Sequence, residues 1–410
     1  MAARSPFSSE LLLALARTHG TPVFVYDAPT VRARCAELRA SFDVVRYAQK
    51  ANSNLALLAL VRSMGCRVDA VSAGEVERAL AAGFTPAEIV FTSDLLDRRA
   101  LEVLARRGVA VNVGSADMLA QLAALDGFRS VTLRVNPGFG DGHAARVTTG
   151  GAESKHGIWH AELAAVATHA RALGLEVDGL HLHVGSGASL EGLSAAANAL
   201  RRLALEVGPS LRTISAGGGL PIPYRQHEAR VDVAGLARTW RSVQRELEQR
   251  FEHALELEIE PGRYLVAEAG ALLTEVRAVK RQGEHAFALV DAGFHNLPRP
   301  LLYGAYHEIR LLSDESRPRA PQIVAGPLCE TSDVFTQDAS GNLEPRLLPR
   351  LAPGDVLCID DAGAYAASMA SNYNGQPFAA EVLVDGERVR RITRLQALPE
   401  LWTRDEAVDR

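Results

Sequence analysis

From about residue 44 the chain alternates short apolar runs with stretches whose apolar residues recur at helical spacing. The runs are VVRYA (44–48), RVDAV (67–71), EIVF (88–91), VAVNV (109–113), VTLRV (131–135), EVDGLHLHV (176–184), RTISA (212–216) and LELEIE (255–260). Between most of them lie segments rich in Ala, Leu, Arg and Glu, such as 74–82 and 163–173. Parallel strands need a helical crossover, so eight runs joined in this way predict an α/β fold, a (β/α)8 barrel of the TIM type. After about residue 264 the alternation stops. LLTEVRAVK, HAFALVDA, QIVAG, DVLCID and EVLVDGERV read as strands bounded by Gly, Pro and Asp, with little helix between them, which predicts a second, β-rich C-terminal domain. TPVFVYD (21–27) reads as a strand added to that domain, and LLLALA (11–16) as part of an amphipathic first helix. The expected boundaries are a barrel over 28–265 and a β-rich domain over 266–410, joined by residues 1–27.

Composition narrows the function classes. With 47% hydrophobic and 23% charged residues and a net charge of −5, the chain reads as an ordinary globular protein with no basic face for nucleic acid. No apolar stretch is long enough to cross a bilayer, so no membrane partner is expected. The four cysteines, Cys35, Cys66, Cys329 and Cys358, are scattered without a CxxC pair, which argues against a disulfide framework or a metal site and fits a reducing cytoplasm. Of 44 lysines and arginines only three are lysines: Lys50, Lys155 and Lys280. Chemistry that needs a lysine amine therefore has three candidates.

In such barrels chemistry sits at the carboxyl ends of the strands, and phosphate is often held after strands seven and eight. The seventh run is followed by Gly217, Gly218 and Gly219, and the eighth by Glu260, Pro261, Gly262 and Arg263. Glycines let backbone N–H groups close on a phosphate, and an arginine adds charge-assisted bonds. Either segment alone also reads as a tight turn. Lys50 ends the first strand in YAQKAN, where an amine can form a Schiff base with a carbonyl cofactor. Lys155 lies in a glycine-rich loop and Lys280 reads as a surface residue. The sixth run ends in GLHLHVGS, where period-two alternation puts His181 and His183 on one side. One could be an interior histidine satisfied by hydrogen bonds, the other a face stacked on a planar cofactor, with Ser186 reaching its phosphate. Glu260 at a barrel mouth could keep a pyridine nitrogen protonated. Cys35, Cys66 and Cys358 sit in apolar segments, whereas Cys329 lies in the polar loop GPLCETSD and is a candidate reactive thiol.

Taken together, YAQKAN, HVGSG, the triple glycine, EPGRY and the Cys329–Glu330 pair resemble, in content and order, the fold-type III pyridoxal-phosphate-dependent decarboxylases. LRVNPGFGDGH, TGGAESKHGIWH, VDAGFHNLPRPLLYGAYHEI, AGPLCETSDVF and GAYAASMASNYN are most similar to the bacterial diaminopimelate decarboxylase branch of that family. The resemblance runs from about Thr21 to Arg394. It implies pyridoxal 5'-phosphate bound to Lys50, His183 stacked on its ring and Glu260 paired with its nitrogen. It further implies that Ser186, Gly217 to Gly219, the Glu260–Arg263 loop and Tyr365 hold the phosphate. Arg263, Arg299, Tyr303, Glu330 and Tyr365 would bind the amino-acid substrate, and Cys329 would act as the acid. In that family the cysteine loop comes from a partner subunit, which implies a homodimer with shared sites. Two departures are visible: Thr331-Ser332 stands where Ser-Gly is usual, and Ala362 where threonine is common.

Competing readings are a decarboxylase of the same fold for ornithine, lysine, arginine or carboxynorspermidine, an alanine-racemase-like barrel, and a non-catalytic homologue. Two arginines with Glu330 suit a substrate bearing a second carboxylate and ammonium. Glu260 argues against the racemase reading, since that family sets an arginine against the pyridine nitrogen. Intact Lys50, His183, Glu260 and Cys329 argue against loss of chemistry.

Overall fold

A computed structural model describes residues 5–142 and 149–406, and the chain divides into two compact units. One comprises residues 32–222 and 229–265; the other gathers 1–31, 223–228 and 266–410.

The first unit is the barrel. Its strands are Val44–Ala48, Arg67–Ala70, Ile89–Ser93, Ala110–Val113, Ser130–Asn136, Glu176–Leu182, Thr213–Ser215 and Glu256–Ile259, each within a residue or two of a predicted run. All neighbours pair in parallel, and Glu256–Ile259 pairs with Val44–Ala48 to close the ring. The helices start where short polar side chains cap them. Asn54, Ser72, Asp97, Ser189 and Asp232 each accept a hydrogen bond from a first-turn N–H.

The barrel interior departs from the usual filling of branched aliphatic residues. Period two sends Glu256, Glu258 and Glu260 to one face, and each meets a basic partner from another strand. Arg67 pairs with Glu256 at 3.2 Å, Arg46 donates twice to Glu258 at 2.8 and 2.6 Å, and His181 bonds Glu260 at 2.7 Å. The last contact reaches from the sixth strand past the seventh, which places the ladder on the concave side. The Arg67–Glu256 pair is half-exposed, whereas Glu258 and Glu260 are buried; buried charges persist only when paired and hydrogen-bonded, so the contacts of these two fix the register of the eighth strand and the position of Glu260 at its end.

In the second unit the mixed sheet runs Arg346–Pro349, Arg319–Ala325, His285–Val290, Gly270–Gln282, Val23–Asp27, Ala380–Asp385 and Arg388–Thr393, with Val356–Ile359 joined to Gly270–Gln282 and Ile309–Leu311 joined in turn to Val356–Ile359. Val23–Asp27 is central, antiparallel to Gly270–Gln282 and parallel to Ala380–Asp385. The helix Ser9–His19 buries Leu12, Leu15 and Ala16 against Val23, Val25, Leu273 and Val382. That i, i+3, i+4 spacing is the amphipathic pattern of LLLALA. EVLVDGERV is a hairpin of two strands turning at Gly386 (φ 61°), rather than one strand.

Candidate active site

The mouth of the barrel is built from the loops that follow strands one, six, seven and eight. Lys50 sits in the short turn Gln49–Ala51 at the end of the first strand, exposed among buried neighbours. That turn is braced from the eighth strand, because Ala48 N–H donates to the Pro261 carbonyl at 3.1 Å. Lys155 and Lys280 are also exposed, in the 149–157 loop and on the β-unit strand Gly270–Gln282.

The three glycines after strand seven pack directly against backbone. A Cβ on Gly217 would lie 2.0 Å from the Leu182 carbonyl oxygen, one on Gly218 2.3 Å from that of Glu260, and one on Gly219 2.2 Å from that of Gly185. Gly217 and Gly219 have φ of 61° and 97°, a region that favours glycine. Cross-links tie the loops together: Glu260 N–H donates to Gly217 O at 2.8 Å, and Gly187 N–H to Gly219 O at 2.9 Å. Arg263, buried, donates to the Ser186 hydroxyl at 2.8 Å. The result is a narrow backbone cup with one guanidinium and one hydroxyl at its rim, suited to a phosphate.

The two histidines divide their tasks. His181 is buried and binds Glu260 Oε2, while Ser215 Oγ lies 3.4 Å from Oε1. Burial alone would raise the Glu260 carboxyl, but His181, then Arg46 and Arg134, outweigh it and hold the group below the usual carboxylate range. His183 lies just past the strand end, and its Nδ1 accepts the Gly218 N–H at 3.2 Å. Burial, with Arg134 and Lys50 nearby, pushes its pKa well down, so the ring is neutral with its proton on Nε2. A neutral, half-buried imidazole fits a stacking role.

Three residues of this site carried no visible signal in the sequence. Asp69, at the end of the second strand, is buried, with Oδ1 unpartnered among the described residues. Burial and the charge of Glu260 push its carboxyl up to about 8, opposed by Lys50 and a Thr92 hydrogen bond. Arg134 on the fifth strand acts on Glu260, His183 and Asp94 together. Asp94 takes His156 Nδ1 at 2.5 Å and the Gly157 N–H at 2.8 Å, and so anchors the loop that carries Lys155. Sequence pattern places each on a strand or strand end but cannot tell an inward polar residue from a solvated one.

The remaining candidates lie in the second unit. Arg299 and Tyr303 are the two ends of the one-turn helix Arg299–Tyr303, four residues apart on one face. Arg299 is buried and its Nη1 lies 2.8 Å from His307 Nε2. Tyr365 holds a left-handed backbone (φ 56°), a strained state for a non-glycine residue that marks functional positions. Cys329 is exposed, whereas Cys35, Cys66 and Cys358 are buried. The Cys329 N–H donates to Asn374 Oδ1 at 3.0 Å, and Tyr373 hydroxyl donates to the adjacent Glu330 carboxylate. Buried Asp333 shapes the loop by accepting the Leu328 and Phe294 N–H groups at 2.9 and 2.7 Å. Positive φ outside glycine falls at Glu252, Asp361, Tyr365 and Asn374 among the described residues, so Ser332 occupies backbone that does not require the glycine usual there. Among the described residues no three His, Cys, Asp or Glu side chains gather as a metal site, and no helix is long and apolar enough to cross a membrane.

Comparison with known proteins places these features in a family. Residues 29–267 match the pyridoxal-binding domain of pyridoxal-dependent decarboxylases. Over 403 residues the chain is 47% identical to the diaminopimelate decarboxylase of Escherichia coli K12, covering 96% of each. A crystal structure of a diaminopimelate decarboxylase superposes with a TM-score of 0.95 at 46% identity, over 99% of this chain and 98% of that one. The Helicobacter pylori diaminopimelate decarboxylase complexed with L-lysine gives 0.86 at 32% identity, over 95% and 98%.

Proposed function

The chain belongs to the pyridoxal-dependent decarboxylases and, among them, to the diaminopimelate decarboxylases, and we propose on that premise that it converts meso-2,6-diaminopimelate to L-lysine and carbon dioxide by removing the carboxylate at the D-centre. This is the last step of lysine biosynthesis. The observation that carries the reading is Glu260, kept ionised by His181 at a barrel mouth shared with Lys50 and the glycine cup. The cup fits pyridoxal phosphate because Gly217, Gly218 and Gly219 let the loops pack main chain on main chain, with Arg263 and Ser186 beside them as donors to a phosphate.

When bound, the cofactor supplies a ring that takes up the electron pair left as carbon dioxide departs. The chain's own residues prepare that event. The Lys50 amine provides the covalent anchor. Glu260, as a carboxylate, would accept the hydrogen bond of a protonated ring nitrogen and keep the proton there. His183 would pack its neutral ring against the cofactor face, and Ser186, Gly217 to Gly219, Pro261 to Arg263 and Tyr365 would hold the phosphate. Arg263, Arg299 and Tyr303 take the carboxylate at the L-centre, while Glu330 takes its ammonium. Cys329 would supply the proton to the carbon that has lost its carboxylate. We assign Cys329 and Glu330 to the partner's barrel in a homodimer. The family resemblance and the exposure of both residues on a loop braced by Tyr373 and Asn374 support this. The scattered, unpaired cysteines fit a cytoplasmic enzyme.

The test is product analysis with meso-diaminopimelate, L-ornithine, L-lysine and L-arginine offered separately. L-lysine and carbon dioxide from diaminopimelate alone support the reading. Comparable turnover of ornithine or arginine would assign the chain to a decarboxylase of simpler basic amino acids.

A further inference from the structure

We propose that His307 is a positioning residue for Arg299, and that with Tyr224 it sets the enzyme's demand for a substrate bearing a far carboxylate. This rests on the reading of Arg299 as the anchor of that carboxylate. The inference comes from how the buried guanidinium is held.

Arg299 Nη1 lies 2.8 Å from His307 Nε2, and a guanidinium can only donate, so Nε2 carries the lone pair. His307 Nδ1 lies 2.9 Å from the Asp360 carbonyl oxygen, which can only accept, so Nδ1 carries the proton. Both contacts select the same neutral tautomer. Its backbone is fixed as well, since Arg346 donates to the His307 carbonyl at 3.0 Å. On another side the Arg299 guanidinium carbon lies 4.7 Å from the centroid of the Tyr224 ring, which itself meets the His307 ring edge-on at 5.6 Å and 73°.

Three other arginines, Arg46, Arg310 and Arg317, are oriented by acids. Arg46 is held by Glu258, Arg310 by Asp360 and Arg317 by Asp355. A carboxylate orients an arginine by cancelling its charge. A neutral imidazole lone pair and an aromatic face orient the fork without themselves bringing a negative charge to it. The carboxylate of Asp360, the residue whose carbonyl His307 uses, is engaged by Arg310 at 2.6 and 3.2 Å. This division of labour suits an arginine whose task is to meet a carboxylate arriving with the substrate.

The experiment uses the holoenzyme with meso-diaminopimelate. His307→Phe keeps a ring but removes the acceptor. It should raise KM by roughly 10- to 100-fold, the worth of one buried charge-assisted hydrogen bond, with kcat nearly unchanged and the cofactor spectrum intact. His307→Gln, whose amide oxygen can stand in for Nε2, should recover most of the loss. Added to Arg299→Ala, His307→Phe should raise KM no further, because it acts through the arginine. Tyr224→Leu provides an independent arm if His307→Phe fails to fold, and should also raise KM selectively. An unchanged KM in the folded His307 or Tyr224 variants, a loss confined to kcat, or a further KM increase on top of Arg299→Ala would each overturn the proposal. Should Arg299→Ala itself leave KM unchanged, the reading of Arg299 fails and takes this inference with it. That outcome is separable because it appears in the Arg299 variant alone.

Discussion

Substituting Gly219 by alanine isolates what the phosphate cup demands of the backbone. At φ 97° an L-residue carries a strain of about 1–2 kcal/mol. The new Cβ would also sit 2.2 Å from the Gly185 carbonyl oxygen, a backbone atom that no rotamer change can move aside. Relief requires displacing Gly219, whose carbonyl accepts the Gly187 and Ala188 N–H groups at 2.9 and 3.2 Å; losing either bond costs about 1 kcal/mol more. The total, about 2–4 kcal/mol, corresponds to roughly a 30- to 700-fold weaker affinity for pyridoxal phosphate. The assay is titration of cofactor-free protein with pyridoxal phosphate, followed by absorbance. Gly354→Ala serves as the control, since it shares a positive φ (90°) but meets nothing within 4 Å. It should leave cofactor affinity unchanged. The reasoning is refuted if Gly219→Ala binds within about threefold of wild type, or if it lowers only the melting temperature.

Four further outcomes are expected. Borohydride reduction and peptide mapping should leave the pyridoxyl group on the peptide containing Lys50; recovery on Lys155 or Lys280 would remove the assignment. Co-refolding inactive Lys50→Ala with inactive Cys329→Ala should restore about a quarter of wild-type activity, because half the dimers are mixed and one of their two sites is intact; no recovery under conditions that refold wild type would place Cys329 in its own chain's site or outside catalysis. Arg46→Met, which removes both hydrogen bonds to the buried Glu258 carboxylate and leaves it only Arg67 at 3.9 Å, should cost about 3 kcal/mol in urea unfolding, and adding Glu258→Leu should return most of it. In cofactor-free protein, folding holds a proton on Asp69 up to about pH 8 that the unfolded chain releases near 3.8, so stability falls as pH rises through that window by at most about 1.4 kcal/mol per unit. Asp69→Asn should therefore match wild type near pH 4 and exceed its melting temperature at pH 8; a variant less stable at pH 8 would contradict the assignment.

The barrel was legible because periodicity is a local property. Each strand is a short apolar run, each crossover an amphipathic helix, and the eight predicted runs coincide with the eight strands to within a residue or two. Lys50 stood out through the scarcity of lysine and its place at a strand end, and the glycines through their position after the seventh strand. In sequence the hairpin at Gly386 is indistinguishable from one strand because both arms keep their β-forming residues across a two-residue turn. Residues 223–228 follow a barrel strand in sequence yet pack with the second unit, where Arg225 lies over the Tyr306 ring at 4.0 Å. Nothing in PYRQHE announces that exchange.

By itself, then, the sequence determined the order and type of the elements, the scarcity of lysine and the placement of candidate groups at strand ends, since these follow from side-chain size, polarity and spacing along the chain. Only the tertiary structure decided which charges meet. Glu256, Glu258 and Glu260 look alike in LELEIE, but three different strands deliver Arg67 to the first, Arg46 to the second and His181 to the third. His181 and His183 are two residues apart in one motif, yet one fixes a carboxylate and the other faces the glycine cup, because the strand ends between them. Ionisation state and hydrogen-bond partner depend on atoms brought close by residues tens or hundreds of positions away, and at such separations the pattern of a chain carries no distance.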